Sequence, residues 1–274
     1  MKGYNTSETS SATRHNGKEN EISESLRYAS YIQQAIFPSQ KLINRLLPEN
    51  FVFYRPRDVI SGDFYYATQK NEKLIVGVGD CTGHGVPGAL MSILGITFLN
   101  EIIARGIFSS AGSILNQMRE HVMDALCQTG EENERKDGID LALCVIDPKT
   151  HILSFSGAFN PVYIVRDNAL VEIAGDMMPV GVGADEELCF TTHLYELNPN
   201  DAIYLFTDGF ADQFGGPENR KFKYKPFRDL LREISSLPMH KQKMAIDSTF
   251  NDWKGNLRQL DDVLVFGFRY STLG

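Results

Sequence analysis

The chain lacks any paired cysteine signature. Its four cysteines, Cys81, Cys127, Cys144 and Cys189, include no C-x-x-C spacing, so neither a disulfide framework nor a thiolate zinc site is written in them. Scattered free thiols in a cytosolic protein are the simple expectation. No continuous apolar stretch reaches the roughly 18–20 residues of a membrane span, and the N-terminus has no signal-peptide core. Positive charge is scarce, with 27 Lys and Arg against 35 Asp and Glu and a formal net charge of −8. Nucleic acid is therefore excluded as the main partner, because phosphate backbones demand clustered Lys and Arg. An anionic small substrate is awkward for the same reason, unless metal ions or a local basic group intervene. No internal repeat is present. These absences together predict a cytoplasmic protein with no membrane span.

What the chain has is apolar content. Hydrophobic residues make up 42% of 274, enough for a sizeable core. Residues 1–20 are polar and are expected to be a disordered tail. Residues 21–48 read as a helical linker or regulatory segment. There Ile22, Leu26, Ala29, Gln33 and Ile36 recur at alternating spacings of four and three until Pro38 stops the helix. That pattern fits a helix lying on the domain, or a short parallel homodimer seam in which Gln33 sets the register. From residue 49 to 274 one domain is expected, with strands at FVFYRP, DFYYATQ and KLIVGVGD, then two helices, VPGALMSILGITFLNEIIARG and SILNQMREHVMDALCQ. Pro87 suits the first turn of the former helix and Gly106 its end; Ser113 is the expected cap of the latter. Hairpin-linked strands, two further helices and the strand DDVLVFGFR follow. Strand blocks separated by helix clusters predict an α+β fold with antiparallel sheets.

Aspartates sit at the strand ends. Asp80 stops the apolar run LIVGVGD, Asp63 opens DFYY, Asp208 ends AIYLFTDG, and Asp261 and Asp262 open DDVLVFGF. Each taken alone fits a turn or a helix cap. Taken together they are costly, because buried carboxylates repel one another and resist ionisation. Divalent cations relieve both problems, and oxygen ligands without a His or Cys cluster point to Mg²⁺ or Mn²⁺.

The segments RPRDVISGDFYY, VGDCTGHGVPGALMS, FSGAFNPVYIVR, MPVGVG, LFTDGFADQF and LDDVLVFGF, in this order, resemble the metal-dependent type-2C protein phosphatases, specifically their bacterial SpoIIE/RsbU-type branch. The resemblance covers roughly residues 50–270. It implies a four-layer α-β-β-α sandwich of two antiparallel sheets, with two Mn²⁺ or Mg²⁺ ions in a cleft at one end. By that resemblance Asp80 bridges both ions and the backbone carbonyl of Cys81 reaches the second. Asp63 would complete the second site, and Asp208 and Asp261 would join Asp80 on the first. Asp262 would support them. The implied chemistry is in-line attack of an activated water on a phosphoserine or phosphothreonine, with no phosphoenzyme. His84, Arg55 and Arg57 are the candidates for contacting the phosphate. Gly83 and Gly85 would let the loop after Asp80 turn tightly.

Three rivals fail on spacing. GVGDCTG has Thr82 where a dinucleotide fingerprint needs its third glycine, and it lacks the lysine of a phosphate-binding loop. A cysteine phosphatase needs arginine six positions after Cys81, where Pro87 stands. A catalytically silent signalling module with this fold is the alternative from another class, and all four expected carboxylates being present argues against it. The family branch implies a phosphoprotein substrate, most often a small STAS-domain anti-sigma-factor antagonist. RsbU-type relatives often carry a sensor domain ahead of the phosphatase. Here the preceding helix implies either a piece of a longer chain or control by a partner docked on that helix. The aromatic and basic segment after Asp208, GFADQFGGPENRKFKYKPF, is a candidate for substrate docking.

Overall fold

The computed structural model describes residues 8–130, 136–183 and 188–271, with side chains from residue 21 onward. Helix α1 (Glu8–Ile36) and the short α2 (Gln40–Leu46) lead into strand β1 (Asn50–Arg55). Strands β2 (Phe64–Lys70) and β3 (Lys73–Cys81) precede helices α3 (Val86–Arg105) and α4 (Ala111–Ala125). A run of strands follows: β4 (Gly138–Asp147), β5 (Ile152–Ala158), β6 (Val162–Arg166), β7 (Ala169–Ile173), β8 (Val180–Gly181), β9 (His193–Glu196) and β10 (Ala202–Phe206). The chain closes with α5 (Gly209–Asp212), β11 (Phe214–Gly215), β12 (Arg220–Lys221), α6 (Tyr224–Ile234), α7 (Met239–Lys254) and β13 (Val263–Arg269).

One sheet has the order β1-β13-β10-β6-β7 and the other β2-β3-β4-β5-β9, with β8 on β4 and every pairing of these strands antiparallel. Side-chain alternation explains the stacking. In β4, Leu141, Leu143 and Val145 face a core shared with α3 and α4, while Ala142, Cys144 and Ile146 face the other sheet. In β10, Ile203 and Leu205 face that same inter-sheet core, while Tyr204 and Phe206 face α6 and α7. The inner strands are buried on both faces, so they read as unbroken apolar runs. The layers are therefore helix, sheet, sheet, helix, as the resemblance implies. All four cysteines are free.

Several local expectations change. Helix α1 begins at Glu8, inside the segment whose composition reads as disordered; residues 1–7 of that tail lie outside the described residues. Polarity there removes a reason to bury the segment, but it does not forbid helical backbone. The α4 cap is Ser110, whose hydroxyl accepts from Ser113 N; Ser113 sits at the third helical position and closes a reciprocal box. Helix α3, at 20 residues with mean hydropathy 1.6, is long and apolar enough by composition to cross a membrane, counter to the reading of the apolar runs. Half of it is buried, with Leu99, Ile102 and Ile103 packed in the core under β2–β4, so its apolarity serves that core.

Candidate active site

The antiparallel register brings the aspartates to one end of the sandwich. Asp80 pairs with Asp140 across β3 and β4, and extending the β2–β3 register from Phe64↔Gly79 by one residue places Asp63 on the other side of Asp80. The second sheet supplies Asp208 just beyond β10 and Asp261 and Asp262 just before β13. Thr207 joins the two sheets. Its backbone N–H donates to Leu264 O, its hydroxyl accepts from Leu264 N, and the same hydroxyl donates to Asp63 Oδ2 at 2.7 Å.

Asp80, Asp140, Asp208 and Asp261, with His84 and the Cys81–Gly83 stretch, line an open cavity of about 240 Å³. Asp63 is almost fully buried against Asp80. Burial, reinforced by the Asp80 charge, raises the Asp63 pKa well above the ordinary value; burial and then Asp208, Asp261 and Asp140 do the same for Asp80. Asp208 is pushed up to about 6 by burial and then Asp261, and Asp140 to about 6 by burial and then Asp208. Asp261 is raised by burial.

The loop after Asp80 explains its glycines. Gly85 adopts φ 65 ahead of α3, and a Cβ on Gly88 would stand 2.2 Å from Gly83 O. Thr82 fastens the loop to β4, with its N–H donating to Gly138 O and its hydroxyl accepting from Gly138 N. Asp262 accepts from Arg57 N at 2.7 Å and Gly62 N at 2.8 Å, so it fixes the segment leading to Asp63, in keeping with its supporting role. From the other side Gln33 of α1 donates to Ser61 O and Ser92 Oγ and accepts from Ser61 N. Gln33 and Phe37 are buried in the domain, with Leu26, Ala29 and Ile36 half-buried and Ile22 exposed. Over this stretch the 4-3 pattern is a docking stripe on the domain.

The phosphate candidates separate. Arg55 is directed at α7, where its Nη1 donates to Asn251 Oδ1 at 2.6 Å and its guanidinium lies over Phe250, outside the aspartate-lined cavity. Packing between β1 and α7 claims it. Arg57 lies near Asp261, and its buried Nε has no hydrogen-bond partner. His84 lines the cavity with Nδ1 3.4 Å from Asp58 Oδ2. Asp140 is the carboxylate that the sequence reading passed over. Its signal was available: like Asp63 and Asp261, it opens an apolar strand, IDLALCVID.

The donor set is all oxygen, as hard divalent cations require. Asp208 Oδ1 is buried without a hydrogen-bond partner, an orphaned acceptor facing the other carboxylates. Among the described residues no three acidic, His or Cys side chains are already spread around one ion-sized centre. Asp80 lies against the Asp63 and Asp208 carboxyl groups, whose mutual repulsion, after burial, raises their pKa values. Cations would offset that repulsion, so the all-oxygen donor set with its orphaned Asp208 Oδ1 fits Mg²⁺ or Mn²⁺.

A family model, Stage II sporulation protein E (SpoIIE), matches residues 70–271. The SiaA-PP2C domain of Pseudomonas aeruginosa is 32% identical, with 93% of this chain and 99% of that chain covered and a TM-score of 0.83. The PP2C phosphatase domain of SpoIIE from Bacillus subtilis, with a fragment of its regulatory domain, is 14% identical at TM-score 0.65, over 81% of this chain and 61% of that one. The RsbU and RsbW domains of a Mycobacterium tuberculosis protein are 23% identical at TM-score 0.61, over 81% and 60%. No curated protein matches. The chain belongs to the SpoIIE/RsbU-type branch of the PP2C (PPM) phosphatase family.

Proposed function

We propose that the chain is a metal-dependent protein serine/threonine phosphatase. The observation that carries this reading is the convergence of Asp63, Asp80 and Asp140 from one sheet with Asp208 and Asp261 from the other around one open cavity. Asp63, Asp80, Asp208 and Asp261 would hold two Mn²⁺ or Mg²⁺ ions, with the Cys81 carbonyl beside them. Bound ions supply a nucleophilic water near neutral pH and offset the phosphoryl charge. Asp80, at the end of a buried strand, fixes the centre of the site. Asp63 is held behind it by Thr207. His84 lines the cavity and Arg57 lies near Asp261, so these two remain the candidates for orienting a phosphate. The presence of all four ligand candidates, Asp63, Asp80, Asp208 and Asp261, argues against the silent-module reading.

The substrate class follows from the family branch: a phosphoserine or phosphothreonine on a regulatory protein, with a STAS-domain anti-sigma-factor antagonist as the first to try. The chain is read as cytoplasmic. With Gln33 docked on the domain, a homodimer through α1 would use its outward surface, where Tyr28, Tyr31 and Ile32 are exposed. The test is release of phosphate from phosphoserine, phosphothreonine and phosphotyrosine peptides with Mn²⁺, with Mg²⁺ and with chelator. Metal-dependent release from the first two supports the reading; release unaffected by chelator overturns it.

A further inference from the structure

A groove of about 560 Å³ adjoins the metal cavity and shares Asp140 and Asp208 with it. Its walls carry Phe159, Pro161, Met177 and Tyr224. Met177 is 85% exposed, Tyr224 40% and Phe159 39%. Large apolar side chains gathered at solvent mark contact sites on folded proteins. The groove's cation, Arg228, is committed to Glu172 at 2.7 Å, leaving a neutral, apolar wall beside the acidic centre.

Phe159 is held there against its backbone preference. Asn160 N donates to Ala158 O at 2.6 Å, closing a three-residue turn with Phe159 at φ 56, the strained positive-φ γ-turn. The surroundings enforce it. Phe159 N donates to Asp176 O and Asp176 N to Gly157 O, each at 2.8 Å, while the Asp176 carboxylate accepts from Thr191 N and Oγ1. A Cβ on Gly157 would stand 2.2 Å from Asn160 O, so the backbone is packed tight beneath the turn. A glycine at 159 would relieve the strain. Backbone strain held at the lip of a cleft, on a residue with a large exposed ring, points to a contact made by that ring.

We propose that this groove receives the apolar side chains flanking the phosphoserine of a protein substrate, with Phe159 and Met177 determining specificity. The proposal rests on the phosphatase reading and deepens it. The occupant follows from continuity: a phosphoserine seated between Asp80 and Asp208 leaves its neighbours at the Asp140–Asp208 end of the groove. It follows also from charge, since the paired Arg228 leaves nothing to attract acidic flanks. A small phosphomonoester would end inside the metal cavity and leave the groove unused.

The experiment uses the full chain with Mn²⁺ and fluorescent peptides carrying a non-hydrolysable phosphoserine phosphonate. One peptide has Leu at the two positions on either side, the other Ser. Anisotropy should show the Leu peptide binding at least about tenfold tighter, as burial of a single apolar side chain already implies. Phe159→Gly, which suits the turn, and Met177→Ser, at an exposed position, should each shrink that ratio severalfold, with thermal midpoints confirming folding. Equal binding of the two peptides by the wild type, or a ratio kept in both variants, overturns the proposal. So does a concentration-dependent dimer lost in both variants, which would make a second copy the occupant. Parallel turnover of the hydrolysable peptides separates the failures. No turnover with the Leu preference intact sinks the phosphatase reading and keeps the groove; turnover with equal affinities does the reverse.

Discussion

Thr207 Oγ1 donates a 2.7 Å hydrogen bond to Asp63 Oδ2 from the opposite sheet, and so ties the end of β10 to the start of β2 beneath the aspartate-lined cavity. The same oxygen accepts from Leu264 N, so one hydroxyl satisfies a β13 amide and orients a buried carboxylate. Thr207→Val keeps the shape and removes both bonds. A buried amide and a carboxylate oxygen are left unpaired, at a cost of about 1–3 kcal/mol each at most. Mn²⁺ affinity is expected to fall by about 10–100-fold, the usual effect of losing a partner that orients a ligand. Calorimetric Mn²⁺ titration checks it, and unchanged affinity would show that Asp63 needs no such support.

Gln33 joins α1 to the segment preceding Asp63. Its amide closes on both backbone groups of Ser61, and Ser61 Oγ in turn accepts from Asp63 N. Gln33→Ala is expected to loosen that segment, lower Mn²⁺ affinity by about tenfold and increase proteolysis of α1. A chain starting near residue 40 should show the same loss of affinity. Metal affinity equal to the full chain would mean that α1 is not coupled to the site.

Stability and metal binding should respond oppositely to pH. Asp140 and Asp208 titrate at about 6 in the folded protein, against about 3.9 in an unfolded chain. Raised carboxylate values stabilise the fold fully below pH ~4, and that contribution is lost as pH rises through 6. With chelator, the thermal midpoint should fall between pH 4 and 7. With Mn²⁺ the fall should shrink or reverse, because deprotonation creates the ligands. A metal-induced shift in the midpoint that does not grow with pH would contradict this.

The four aspartates were legible because a carboxylate at either end of an apolar strand is conspicuous, Asp80 and Asp208 closing theirs and Asp63 and Asp261 preceding theirs. The layers were legible only through the resemblance, because β4 and β10 are buried on both faces and show no alternation. Asp140 heads the apolar run IDLALCVID as Asp63 and Asp261 head theirs, and only the β3–β4 register sets it opposite Asp80. Sequence proximity to Asp63 failed for Arg55, since its position in β1 directs it to α7 while Arg57, two residues on, lies beyond the strand. Phe159's turn left no mark, because phenylalanine is a residue that positive φ disfavours.

The central claim is tested most directly by hydrolysis of an aryl phosphate by wild type, Asp80→Asn and Asp208→Asn, each with Mn²⁺ and with chelator. Wild-type turnover that requires metal, and that falls by orders of magnitude in both variants as loss of the bridging carboxylate or of a first-site carboxylate implies, is the predicted result. Metal-independent turnover, or full activity in either variant, would contradict it.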